Sequence, residues 1–433
     1  MKRKNIYVIV CAFILCAAML LSACGETVAE PVPDDVAELV EAADAEAAEA
    51  ADNSEEPAAA PSYVIDYEAL FKSRDPEEVV MTVDGREVSW NEYYYWIRYY
   101  AEYIQYYIDM YKYYGMDYKW TDPADEEGTM TLADSVRQDA GNHMSMICAI
   151  ENYAEQNGIE LSEEAQKAID EGIKDQTVQY CGEDATEEDF DKFLRETDYL
   201  SLDIYRRYNR ASYLHHEIFE QLYGKYGEKV SDEDALKFLE NNGYMRANHI
   251  LFMTVDPSTG EALDEATVAE KLALAEKTAA ELKKITKKDK LLKKFAELKT
   301  KHDEDTGKFQ YPDGYVFTTG KMVQEFENGW KDLKDYEISD PILSTYGYHV
   351  MIRLPNDPDA VIEYSDEGTA LSARMEYANS AYSEMMQEKI DAADIILSDS
   401  IIGMNIADFL IEAPEIVEES PQIPVETPET AGE

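Results

Sequence analysis

Met245-Arg246-Ala247-Asn248-His249-Ile250-Leu251-Phe252 and, a hundred residues on, Tyr348-His349-Val350-Met351-Ile352-Arg353 are the two stretches on which the fold turns. Both are short and rich in the apolar and aromatic residues that suit a pleated surface, which predicts a pair of strands. Between them the pattern is helical. Residues 264–284 start acidic and end in lysines, the signs a helix dipole prefers. Residues 291–299 and 322–330 give two further helices, and Pro341-Ile342-Leu343-Ser344 gives another strand. The lysines of 283–301 are expected to form a solvated face. A strand, three helices and returning strands make a compact α+β unit.

Upstream the chain reads as mainly helical. Residues 79–88 predict a small hairpin turning at Asp84-Gly85, and Ser89 with Glu92 three residues on predicts a helix cap. The helix that follows is crowded with aromatics, and Trp96, Tyr100, Tyr103 and Tyr107 fall on one face at helical spacing. That face reads either as core or as an aromatic surface for client chains. Further helices are expected over 132–157, 162–180, 186–224 and 231–241, with breaks at Asn157-Gly158 and Asn242-Gly243, and again over 365–398. No internal repeat is evident.

The two ends are different in kind. Lys2, Arg3 and Lys4 precede an uncharged run that closes on Leu21-Ser22-Ala23-Cys24. Charge, apolar run and small residues in that order form a secretory signal, too short for a stable membrane span. Residues 25–61 hold twelve acidic residues and no Lys or Arg, and 413–433 hold four prolines and six glutamates. Neither can bury enough apolar surface to fold alone, so both read as disordered acidic segments. The whole chain carries 91 Asp+Glu against 39 Lys+Arg, a net charge of -52. This excludes nucleic acid as a partner, since phosphate binding needs cations, and favours cationic or unfolded ones. Of five cysteines only Cys148 and Cys181 lie in the body, so one disulfide or two free thiols are both compatible with the sequence. The remaining histidines, His143, His215, His216 and His302, show no metal-ligand spacing, and neither metal nor cofactor is expected.

Several motifs follow one another in order: Arg246-Ala247-Asn248-His249-Ile250-Leu251, Phe295-Ala296-Glu297-Leu298, Asp303-Glu304-Asp305, Gly320-Lys321-Met322-Val323-Gln324-Glu325-Phe326-Glu327, Ile338-Ser339-Asp340-Pro341-Ile342 and Tyr346-Gly347-Tyr348-His349-Val350. Together they resemble the parvulin rotamase domain. Residues 79–95 resemble the opening of the helical chaperone domain of extracytoplasmic foldases, and Leu21-Ser22-Ala23-Cys24 resembles a bacterial lipobox.

The resemblance implies a lipoprotein signal over 1–24 with lipidation at Cys24, a linker over 25–62, and a helical chaperone-like domain over 63–243. It places an inserted parvulin domain of a small antiparallel sheet and three to four helices over 244–355. A returning C-terminal helix over 356–412 and a tail over 413–433 complete the plan. It further implies a peptidyl-prolyl cis-trans isomerase, anchored outside the bacterial membrane, whose partners are unfolded or folding secreted polypeptides with X-Pro bonds. His249, Asp305, His349 and Ser344 take the catalytic positions. Met322, Phe326, Tyr346, Tyr315 and Phe317 line the substrate slot.

One departure matters. The family's Gly-Gly-Asp-Leu-Gly stretch is replaced by Gln310-Tyr311-Pro312-Asp313-Gly314-Tyr315-Val316-Phe317. A holdase chaperone with a degenerate rotamase unit is the alternative this leaves open.

Overall fold

The computed structural model describes residues 63–125, 128–364 and 369–412. The signal, Cys24, the acidic linker and the C-terminal tail lie outside the described residues.

In chain order the elements are β1 (Tyr63–Ile65), α1 (Tyr67–Lys72), β2 (Val79–Val83), β3 (Arg86–Ser89), α2 (Trp90–Tyr113), α3 (Leu132–Asn157), α4 (Glu163–Cys181), α5 (Glu187–Thr197), α6 (Leu202–Tyr223) and α7 (Asp232–Asn241). There follow β4 (Met245–Met253), α8 (Glu265–Lys283), α9 (Lys288–His302), β5 (Tyr315–Phe317), α10 (Gln324–Lys331), β6 (Ile342–Leu343), β7 (Gly347–Leu354), β8 (Val361–Tyr364) and β9 (Ala370–Ser372). The chain closes with α11 (Ala373–Ala392), β10 (Ile395–Leu397), α12 (Asp399–Ile402) and β11 (Leu410–Glu412). Two compact units result: one from the described residues up to His215 and from Lys389 on, the other from His216–Glu388.

The first unit is mainly helical. The β2–β3 hairpin turns at Asp84 and Gly85, both with positive φ, the geometry of a two-residue hairpin loop. Ser89 then caps α2 in a reciprocal box with Glu92, and Thr131 with Asp134 does the same for α3. The core face of α2 is Trp90, Tyr94, Ile97, Ala101, Ile104 and Ile108, packed with Val136, Ala140 and Met144 of α3. The face expected from the aromatics alone lies beside it: Trp96 is buried, while Tyr100, Tyr103 and Tyr107 are half-buried. With so many aromatics on every side of α2, their spacing carries no phase. The aliphatic residues set it.

Two other expectations changed. The single helix over 186–224 is α5 and α6, parted at 198–201, where Tyr199 takes φ 56. The helix over 365–398 is shortened to α11 by strands on both sides. Of these strands, β10 pairs antiparallel with β2, using residues far upstream. Cys148 and Cys181 are free thiols.

The second unit is α+β. Its sheet has the strand order β5-β4-β7-β6, all antiparallel. The long pair runs from Arg246↔Leu354 to Met253↔Gly347. Strand alternation divides its residues between two faces. Ile250, Phe252, Val350 and Ile352 pack on α8 and α9 with Ala275, Ala279, Leu282, Phe295 and Leu298. Ala247, His249, His349 and Met351 point the other way, toward Phe317 and Phe326. The three helices begin close to where the sequence places them.

Candidate functional site

The sheet register makes the two histidines diagonal neighbours. His349 stands opposite Leu251, two residues along β4 from His249. Both are buried, their rings nearly parallel at 15° with centroids 5.0 Å apart. The Nδ1 atoms lie 2.9 Å from one another. His249 Nε2 lies 2.9 Å from Asp305 Oδ2, and His349 Nε2 lies 2.7 Å from Ser344 Oγ. Tyr315 Oη donates to the same Asp305 Oδ2 at 2.6 Å, the Gly307 amide donates to Oδ1 at 2.9 Å, and the Tyr346 amide donates to Ser344 Oγ at 3.1 Å. A continuous chain of hydrogen bonds therefore runs Tyr315–Asp305–His249–His349–Ser344.

Electrostatics fixes its direction. Burial raises Asp305, but the hydrogen bonds from His249 and Tyr315 outweigh it, and hold the carboxyl below the usual carboxylate range. Burial, followed by the bond to Asp305, pushes the Tyr315 hydroxyl up, so it remains a donor. Burial lowers His349 to about 3 and keeps that ring neutral near pH 7. An ionised Asp305 takes the Nε2–H of His249. An imidazole with one proton then presents Nδ1 as acceptor, so His349 donates from Nδ1 and accepts the Ser344 hydroxyl at Nε2. Each polar atom is matched within the chain.

Asp305 is brought there by the loop after α9, which closes the edge of β4 where β5 ends. Asp303 Oδ1 accepts from the Leu251 amide at 2.9 Å, Glu304 Oε2 accepts from the Met253 amide at 2.7 Å, and the Glu304 amide donates to Leu251 O at 3.0 Å. Two carboxylates and one amide thus stand in for a missing strand. The motif Asp303-Glu304-Asp305 does not by itself reveal what Asp303 and Glu304 do. What they do depends on a strand edge that no local pattern reveals.

The walls are apolar. Phe326 stands edge-on to both imidazoles, with centroids 5.2 Å from His249 and 5.4 Å from His349, and Phe317 lies 5.7 Å from Phe326. Phe326 and Phe317 are buried, whereas Met322 is half-buried beside them. Buried Glu327, the last residue of the motif that begins at Gly320, accepts the Gly320 and Met322 amides at 2.7 Å and 3.2 Å and so holds the segment that carries Met322. Tyr346 is 53% exposed next to Ser344, and Leu343 is exposed on β6.

Tyr315 combines the expected wall with an added contact. Its ring is edge-on to His249, while its hydroxyl is bound to Asp305. Gly314 takes φ 96 and lies so near β4 that a Cβ would collide with the Ala247 carbonyl. All nine expected side chains of residues 249–349 therefore belong to this sheet unit. Cys24 lies outside the described residues.

Residues 249–354 match the family described as the rotamase PPIC-type PPIASE domain. The foldase protein PrsA of Staphylococcus aureus (strain bovine RF122 / ET3-1) is 31% identical over 188 residues, which is 43% of this chain and 51% of that protein. The foldase protein PrsA of strain MRSA252 is 31% identical over the same shares. The chain thus spans about half the length of the curated relatives it matches. Among solved structures, PrsA from Bacillus subtilis shows 20% identity and a TM-score of 0.24, covering 65% of this chain and 97% of its own.

Proposed function

We propose that the chain is a parvulin-type peptidyl-prolyl cis-trans isomerase that assists the folding of secreted polypeptides outside a bacterial cytoplasmic membrane, tethered there through lipidated Cys24. The observation that carries this reading is the chain of hydrogen bonds Asp305–His249–His349–Ser344 with Phe326 edge-on to both imidazoles. The 249–354 match and the order of motifs agree with it. Among the described residues no helix is long and apolar enough to cross a membrane.

The chemistry asks for little. Rotation about an X-Pro bond interrupts amide resonance against a barrier of about 20 kcal/mol, and no covalent bond is made or broken. A catalyst binds the twisted amide better than either planar form and removes the water that favours the planar dipole. Phe326, Met322 and Phe317 would receive the prolyl ring. His249, His349, Ser344 and Asp305 would form a polar floor whose dipoles are already oriented, so they need not reorganise as the amide turns. Tyr346 and the Tyr315 ring would border the chain on either side of proline.

In this proposal 63–243 with 356–412 forms the client-holding part and 244–355 the isomerase. The -52 charge would favour cationic client segments. A second reading, a holdase without turnover, is favoured by the replaced segment 310–317, where the rings of Tyr311 and Tyr315 meet tilted at 38° with centroids 5.2 Å apart.

The test is cis/trans exchange in an X-Pro peptide, measured by NMR with the full chain. Exchange faster than the uncatalysed rate supports the isomerase, and an unchanged rate leaves the holdase. Incorporation of labelled fatty acid by the wild type but not by Cys24→Ala tests the anchor.

A further inference from the structure

Asp305 Oδ2 serves two donors at once, His249 Nε2 at 2.9 Å and Tyr315 Oη at 2.6 Å. Tyr315 reaches it from β5, whose register places it opposite Ala247, two residues from His249 on the same face of β4. The hydroxyl occupies space that exists because residue 307 is glycine: a Cβ at Gly307 would run into Tyr315 Oη. The same glycine donates its amide to Asp305 Oδ1. Both oxygens of the carboxylate are therefore pinned, one by the loop that carries Asp305 and the other by the neighbouring strand. Without the hydroxyl, the 305–307 turn alone would resist rotation of the carboxylate away from His249.

We propose that Tyr315 is a positioning residue: its hydroxyl, seated in the space left by Gly307, fixes Asp305 Oδ2 against His249 Nε2 and thereby sets the tautomers of both imidazoles. The consequence passes along the hydrogen bonds. A fixed acceptor at Nε2 keeps the His249 proton there, leaves Nδ1 open to His349, and keeps His349 Nε2 open to the Ser344 hydroxyl. The hydroxyl does not touch the prolyl bond, so its loss should act on turnover rather than on binding. The turnover arm rests on the isomerase reading above, whereas the tautomers can be read without it.

The experiment uses the full chain with its histidines labelled with nitrogen-15. The chain has six histidines, so the spectrum is small enough to assign. In the wild type, His349 should show the Nδ1–H form and His249 the Nε2–H form. In Tyr315→Phe both should move toward averaged shifts, with kcat falling about threefold to tenfold, the size of one hydrogen bond, while KM stays within about twofold.

Gly307→Ala displaces the same hydroxyl from the other side and should reproduce these changes. Added to Tyr315→Phe it should have less effect than alone, because no hydroxyl is left to displace. Unchanged nitrogen shifts in Tyr315→Phe overturn the proposal, whether or not kcat falls. Should the wild type show no turnover, the isomerase reading fails and the shifts still decide the role of Tyr315.

Discussion

His143 in the helical unit and His349 in the sheet unit are both driven down to about 3 by burial, and they stand in opposite surroundings. His143 lies flat on Trp96, with ring centroids 3.4 Å apart at 20°, and its Nδ1 meets the Tyr100 hydroxyl at 3.0 Å. Trp96 also gathers Tyr95, Tyr99 and Tyr208 around it. The histidine is one plate in an aromatic stack. His349 is one link in a hydrogen-bonded chain that ends at an ionised carboxylate on one side and at Ser344, beside exposed Tyr346, on the other. A lowered basicity therefore records burial alone. Converging polar groups beside an apolar slot are what separate a site from a core.

The largest way to break this comparison is Trp96→Ala. Trp96 is 4% exposed, and large-to-small changes of buried aromatics cost about 3–5 kcal/mol. Denaturant unfolding should show a loss of that size, and the His143 shift should return toward its ordinary value. The nitrogen shifts of His249 and His349 should not move. If they did, the two regions would not be independent.

The pH dependence sharpens it. A base whose folded pKa lies below its unfolded value of 6.5 takes up a proton on unfolding. Stability therefore falls as pH drops from 6.5 toward about 3, by about 1.4 kcal/mol per pH unit for each such group. His143→Phe should remove one such slope, read as the difference from wild type in urea midpoints between pH 7 and pH 5. The difference isolates the histidine from Asp139, whose carboxyl burial raises to about 6 and which titrates in the opposite sense. Asp305, held below the carboxylate range, loses its contribution progressively as pH falls from the ordinary carboxylate value toward its own lower one. An unchanged slope in His143→Phe would show that its ring is solvated.

Much of this was legible in the sequence, and for physical reasons. The helix cap at Ser89 is local chemistry between residues three apart, and the strands around His249 and His349 announce themselves by composition. The site residues could be named because the motifs that carry them resemble, in order, those of the parvulin rotamase domain.

What could not be read depends on distant partners. The break at 198–201 has no Gly or Pro to mark it, and the helical pattern runs through it. The strand β10 exists because β2 lies beside it. The Tyr315 hydroxyl, Gly307 and the strand-like use of Asp303 and Glu304 become meaningful only once β4, β5 and the loop after α9 are brought together.

The central claim is that the hydrogen-bonded imidazole pair, and not a buried histidine as such, turns the prolyl bond. Exchange NMR on one X-Pro peptide with wild type, His143→Phe and His349→Ala tests it most directly. The account predicts His143→Phe within about twofold of wild type and His349→Ala slower by about tenfold to hundredfold, the scale of a misplaced catalytic group. Equal rates in wild type and His349→Ala, or a loss in His143→Phe as large as that in His349→Ala, would contradict it.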